Sequence, residues 1–211
     1  MPENFFSPAY RIETERLVIR CWNPQDAPSL QAAVQVNIEH LRPFMPWVNS
    51  EPEALETKIE RLRGFRAAFD RDENYTYAIF DREDRRVLGG TGLHPRVGAG
   101  AIEIGYWIHK DFIGQGLASE TAAALTKVAF EIHQLRRVEI HCAPENVRSA
   151  AVPCKLGFTH EATLRERFPY SPVTWTDTMI WSLFADDYPQ TPCAQAHLKA
   201  YDMAGRLMLE N

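Results

Sequence analysis

Apolar positions change period several times along the chain, and each change marks an element. From residue 17 the chain alternates, with Leu17, Ile19 and Cys21 on one side and Val18, Arg20 and Trp22 on the other, as a strand does. Asn23 and Pro24 supply an N-cap and a first helical residue for a helix reaching about His40. Pro43 and Pro46 break it and leave an aromatic loop from Phe44 to Trp47. Ser50 and Glu53 fit a capping box, which predicts a second helix to about Phe69 with Leu55, Ile59, Leu62 and Phe65 as its apolar stripe. Residues 75–80 and 87–93 read as hairpin arms around a charged turn over 81–86. After a loop over 95–100, residues 101–108 alternate again. A strong helix follows from about Gly116 to Gln134, with Leu117, Thr121, Leu125, Val128, Ala129 and Ile132 on its buried face.

Further on, 138–143 reads as a strand and 146–156 as a short helix stopped by Gly157. Two strands over 158–168 and 175–184 are joined by a Pro-rich turn, and 186–191 is linker-like. Leu198, Tyr201, Met203 and Leu207 suggest a terminal helix over about 195–209. The order β-α-α-β-β-β-α-β-α-β-β predicts an α/β (α+β) fold with helices packed on one mixed sheet. The expected division is one domain over 1–191 and a helical extension over 192–211.

Composition narrows the classes. A chain of 211 residues can bury one sizeable core. Its net charge of -5, with Arg85-Arg86 and Arg136-Arg137 as isolated basic pairs, argues against nucleic acid as a partner. Cys21, Cys142, Cys154 and Cys193 are far apart and suit neither a disulfide scaffold nor a metal site, so reduced thiols are expected. The first ten residues lack the pattern of a signal peptide, and no run approaches the ~20 apolar residues of a membrane span. These features predict a soluble, cytoplasmic protein without a membrane partner.

The segment from Ile108 to Glu120 carries the most chemistry. A strand ends, Gly114 and Gly116 follow, and a long helix starts at once. Glycine allows close approach to the backbone, and the helix start offers unpaired N–H groups and the positive end of its dipole, a ready anion site. Ser119 stands where a dinucleotide fingerprint needs its third glycine, and no Walker sequence is present.

Other segments supply the context. Glu103-Ile104-Gly105-Tyr106-Trp107-Ile108, Gly114-Gln115-Gly116-Leu117-Ala118-Ser119-Glu120, Asn146-Val147-Arg148-Ser149 and Lys155-Leu156-Gly157-Phe158 occur in order at compatible spacings. With Thr14-Glu15-Arg16-Leu17 and Gly89-Gly90-Thr91-Gly92-Leu93-His94, this series resembles the GNAT superfamily of acetyltransferases over about residues 13–185. It looks closest to the branch of ribosomal-protein N-terminal (alanine/serine) acetyltransferases. Ile113 departs from the superfamily pattern, which has Gln or Arg there.

The resemblance implies a mostly antiparallel sheet splayed at its centre, with helices on both faces, and acetyl-CoA as donor. It implies that main-chain N–H groups from Ile113 through Gly114, Gln115, Gly116, Leu117 and Ala118 to Ser119 hold the pyrophosphate. Trp107 and Ile108 would hydrogen-bond the pantetheine arm in the splay, with Asn146, Ser149 and Lys155 also at the cofactor. The acceptor would be a primary amine, on a protein or peptide N-terminus or a small molecule, and a homodimer is left open.

An α-amino group, with pKa ~8, needs only a modest base. Ser149 is the candidate general acid near the CoA sulfur, against the reading of an early-helix hydroxyl bonded to backbone. Asn146 also suits an N-cap. Glu103, on the central strand, and Glu166, which the branch implies, compete as base. Glu103 could equally be a buried carboxylate, and Glu166 a surface ion pair with Arg165 or Arg167. His109 near the loop could contact cofactor or simply be solvated, and His141 could face either side of its strand. Phe44, Met45 and Trp47 suit an acceptor wall or plain packing. The competing functions are a non-catalytic acyl-CoA-binding or regulatory module on the same fold and an unrelated nucleotide-binding domain.

Overall fold

Strand alternation in the chain resolves into one ten-stranded sheet in the computed structural model, which describes residues 8–171 and 174–210. β1 (Arg11–Glu13), β2 (Leu17–Cys21), β3 (Tyr75–Asp81), β4 (Val87–His94) and β5 (Ala101–Ile108) run antiparallel in sequence order. β6 (Arg137–Cys142), β8 (Thr174–Phe184) and β7 (Thr159–Ser171) form a second antiparallel set. β5 and β6 join the sets in parallel, pairing only Ala101–Glu103 with Arg137–Glu139. Beyond those residues the two strands part, so the sheet is mostly antiparallel and splayed at its centre, as expected. The expected Pro-rich turn between β7 and β8 includes residues 172 and 173, which lie outside the described residues.

Successive side chains of a strand point to opposite faces, and both faces here are apolar. α1 (Ala27–Leu41) and α2 (Leu55–Asp70) cover one, packing Leu30, Val34 and Leu62 on Val18, Ala78, Phe80 and Val87. α3 (Leu117–Glu131) and α4 (Val147–Lys155) cover the other, where Ile19, Ile79, Ile102 and Ile104 meet Leu125, Val128 and Val152. No helix among the described residues is long and apolar enough to cross a membrane.

Two expectations are corrected. Ser50 and Glu53 do not open α2; the Ser50 hydroxyl bonds Trp47 O (2.8 Å) and Glu53 (3.2 Å) beside a 3-10 turn, and α2 begins at Leu55. Pro52 disfavours helix at the residue before it, which leaves Glu51 extended. The Glu51 and Glu53 carboxylates instead pair with Lys58 and Arg61 of α2, Lys58 being fully buried.

The terminal segment is not helical. β9 (Lys199–Tyr201) pairs with β1, and β10 (Leu207–Glu210) with β9. Leu198 and Ala200 are buried to either side of exposed Lys199, a period of two. Asp202 then accepts the N–H groups of Ala204 (2.8 Å) and Arg206 (2.9 Å), and Gly205 adopts φ +74° in the turn. The chain leading to β9 covers the outer side of α3, where Lys127 Nζ donates to Ala194 O at 2.7 Å. Hence α3 is buried all round from Thr121 to Phe130 instead of along one stripe.

Candidate active site

β5 ends at Ile108, a 3-10 turn follows, and Gly114 and Gly116 take φ of +74° and +81°, a region costly for side-chain-bearing residues. Gly116 caps α3, whose first internal bond is Glu120 N–H to Gly116 O at 3.0 Å. The N–H groups of Leu117, Ala118 and Ser119 therefore have no partner within the helix and sit at its positive end.

The loop is tethered from three sides. Asn37 of α1, fully buried, accepts the Lys110 N–H (2.6 Å) and donates to Ala33 O (2.6 Å). Arg16 donates to Gln115 O (2.9 Å) and pairs with Glu120 (2.6 Å), which also accepts the Thr14 hydroxyl (2.6 Å). His109 donates its N–H to Leu88 O (2.7 Å), and its Nδ1 accepts the Asp111 N–H (3.3 Å). His109 is buried rather than solvated; burial, helped by Arg86 and Lys110 against the pull of Asp111, lowers its pKa and keeps the ring neutral.

A cavity of about 790 Å³ opens between this loop and α4. Tyr106, Trp107 and Ile108 of β5 line it, followed by Ile113, Gly114 and Gly116 of the loop. Leu117, Ala118 and Ser119 of α3 contribute the next stretch, and Asn146, Ser149 and Lys155 come from α4 and its cap. Gln115 is not on the lining; its side-chain amide donates to Asp111 O at 3.2 Å. Asn146 caps α4 by accepting the Ser149 N–H at 3.2 Å, and the Ser149 hydroxyl lies 3.2 Å from the Tyr106 hydroxyl. His40, Leu41, Phe44 and Met45 complete the lining, and the Trp47 ring centroid lies 6.3 Å from that of Trp107.

Neither Glu103 nor Glu166 lies on that lining. Glu103 is buried and bound by both arms of Arg96 (2.6 and 2.8 Å), with His141 Nδ1 at 3.5 Å. Burial opposes its charge, but the Arg96 hydrogen bonds and His141 prevail, so its pKa is held below the usual carboxylate range. His141 faces this cluster and touches Glu139 (2.6 Å), which Arg137 also holds (2.6 Å). Glu166 is exposed on an irregular stretch of β7 with φ +47°, its N–H donated to Asp177 (2.9 Å), and it makes no ion pair among the described residues. A side-chain-bearing residue there is held against a backbone cost of about 1–3 kcal/mol, as Asp72, Asp84 and Gln134 are. The Tyr170 hydroxyl on the same strand donates to Arg42 O (2.5 Å), bringing the β7–β8 hairpin onto the end of α1.

Asn37, Arg16 and Tyr106 were not among the sequence-derived candidates. Asn37 had a signal, a polar residue on the helix face that buries Leu30, Val34 and Leu41. Arg16 stood only as part of the Thr14-Glu15-Arg16-Leu17 run, with no sign of its partner Glu120, 104 residues away.

Over residues 16–159 the chain matches a family model described as the acetyltransferase (GNAT) domain. It is 24% identical over 184 residues to the ribosomal protein uS5-alanine N-acetyltransferase of Escherichia coli (strain K12), covering 86% of this chain and 94% of that protein. Among solved structures, RimL, a ribosomal L7/L12 alpha-N-protein acetyltransferase in complex with coenzyme A, superposes with a TM-score of 0.74 at 24% identity over 82% of this chain and 96% of that one. Mycobacterium smegmatis RimJ in complex with CoA-disulfide gives 0.73 at 23% identity, over 85% and 87% of the two chains. At such identity the structures establish the likeness of fold.

Proposed function

The chain belongs to the GNAT acetyltransferase family, and from that premise we propose that it transfers acetyl from acetyl-CoA to a primary amine by direct attack on the thioester. One observation carries the reading: Leu117, Ala118 and Ser119, with their open N–H groups, and Ser149 line the same cavity beside the parted ends of β5 and β6. The first is suited to a pyrophosphate, the second to a departing sulfur. Ile113 fits this, because a site made of main-chain donors makes little demand on its side chain.

Acetyl-CoA supplies an acetyl group activated as a thioester. In this reading the loop N–H groups and Lys155 hold its phosphates, the freed edge of β5 at Trp107 and Ile108 aligns the pantetheine arm, and Ser149 donates a proton to the sulfur. Glu166 is the base we assign, because the Glu103 carboxylate is committed to Arg96 and stays ionised with little proton affinity. The acceptor we assign is the α-amine of a protein or peptide N-terminus, by extension from the names of the relatives, with small amines tested beside it. A cytoplasmic setting suits the four free cysteines.

The test is free-thiol release by purified protein from acetyl-CoA against a panel of N-terminal peptides and small amines. Amine-dependent release is the expected result. Acetyl-CoA binding without release on any acceptor would mark an acyl-CoA-binding module instead. Equal binding of ATP or NAD would overturn the donor assignment.

A further inference from the structure

Tyr106 follows the last β5 residues that pair with β6, and its side chain reaches α4. Its hydroxyl lies 3.2 Å from the Ser149 hydroxyl and 3.2 Å from the Ser149 carbonyl. Ser149 therefore meets a phenol at the rim of the cavity.

The direction of these bonds follows from acid strength. Burial raises the pKa of Tyr106, so the phenol keeps its proton at working pH and always has one to donate. A phenol is a better donor and a poorer acceptor than an alkyl hydroxyl. It donates to the Ser149 carbonyl and, at the same 3.2 Å, shares that proton with the Ser149 hydroxyl oxygen, which leaves the serine's own proton for another acceptor.

We propose that Tyr106 is a positioning residue that holds the Ser149 hydroxyl turned outward as the proton donor to the sulfur leaving the acetyl group. The proposal rests on the acetyl-transfer reading above. In that transfer the amine nitrogen bonds the acetyl carbon, the carbon–sulfur bond breaks with its electron pair going to sulfur, and Ser149 gives that sulfur its proton. Glu166 takes the proton shed by the nitrogen and gives it up to solvent, from which Ser149 is reprotonated, while Tyr106 keeps its own.

Tyr106→Phe removes only the hydroxyl; losing its bond to the Ser149 carbonyl should lower the melting temperature by a few degrees at most and leave the KM for acetyl-CoA unchanged. Its kcat should fall about tenfold, against about a hundredfold for Ser149→Ala, the low end of what a general acid contributes. The double variant should be no slower than Ser149→Ala alone. A donor thioester of a more acidic thiol, which needs less protonation, should shrink both losses. Binding offers a readout independent of turnover. A donor aimed at sulfur favours a thiolate, so wild-type affinity for CoA relative to desulfo-CoA should rise between about pH 7 and 9, around the ordinary thiol pKa of about 8.5. Tyr106→Phe should flatten that rise. Equal loss of affinity for CoA and desulfo-CoA, or a full tenfold penalty added to Ser149→Ala, would make Tyr106 a strut between β5 and α4 and overturn the proposal. A wild-type protein inactive on every acceptor would defeat the acetyl-transfer reading, while the CoA and desulfo-CoA comparison would still report on Tyr106.

Discussion

The two walls of the cavity are made of different material. The donor wall is backbone: two glycines at positive φ, the open N–H groups of α3, and the unpaired edge of β5, held by Asn37, His109 and Arg16. The wall we assign to the acceptor is side chain: Leu41, Met45 and Phe44, the last 36% exposed, with Trp47 packed on the lining residue Trp107. In the proposed reading the backbone wall recognises a feature common to every donor, the phosphates, and tolerates side-chain change, while the side-chain wall sets acceptor preference. The two should therefore respond separately to mutation.

The strongest test of that separation is Gly116→Val. At φ +81° a β-branched residue is strained, and its nearest neighbour, the Arg16 guanidinium 3.6 Å from the would-be Cβ, leaves space, so strain alone acts. A cost of about 1–3 kcal/mol, felt at the phosphate site, should raise the KM for acetyl-CoA roughly 10- to 100-fold while the KM for the amine stays within a factor of about two. An unchanged acetyl-CoA KM would show that the loop is an ordinary turn.

Asn37→Leu probes the place where the division breaks down, because Asn37 belongs to the acceptor-side helix α1 yet holds the donor loop. Losing its oxygen leaves the part-buried Lys110 N–H without its acceptor and the buried side chain without its bonds, at about 1–3 kcal/mol. Thermal melting should fall by several degrees, and the acetyl-CoA KM should rise about 3- to 10-fold as the loop loosens. A stability loss with both KM values intact would confine Asn37 to packing.

These two residues also show what a sequence reveals. Gly114, Gly116 and the start of α3 are neighbours in the chain, so the donor wall could be read from local spacing. Asn37 and Lys110 are 73 residues apart, and nothing local to either names the other. The terminal segment misled for a different reason. Leu198, Tyr201, Met203 and Leu207 mimic helical spacing, whereas the informative alternation is Leu198, Lys199, Ala200, cut off by the Asp202–Gly205 turn. A clue lay elsewhere, in an α3 so apolar that its outer face needed cover. Ser50 and Glu53 fitted a capping box in spacing, but Pro52 between them excluded the helix. Glu103 and Glu166 could be named but not ranked, since the ranking depends on Arg96, which comes close to Glu103 only when β4 turns into β5.

Trp47→Ala should act on the other wall. The indole packs on Trp107, which lines the cavity, so its loss should raise the KM of the preferred amine about 3- to 10-fold and blur the ranking of acceptors. Acetyl-CoA KM and melting temperature should barely move, because the ring is partly exposed. A larger effect on acetyl-CoA than on the amine would mean that the aromatic loop belongs to the donor side.

Glu103→Gln carries the smallest expected effect, at the seam where β5 and β6 still pair. The folded-state pKa of Glu103 lies below that of an unfolded glutamate, about 4.3. Its stabilising contribution is thus complete above that value and is lost as pH falls through the lower folded one. Because the Arg96 side chain is 60% exposed, solvent screens the pair and its removal should cost about 1 kcal/mol at neutral pH. The deficit relative to wild type should close as the pH drops below about 4. With the base placed at Glu166, turnover should stay within a factor of about three, and the acetyl-CoA KM should not change. Glu166→Gln should slow turnover at least tenfold, as loss of a general base does. The reverse order, with Glu103→Gln stable but about a hundredfold slower, would move the base to Glu103 and make its Arg96 pair a device for setting its protonation, joining the two walls at that seam.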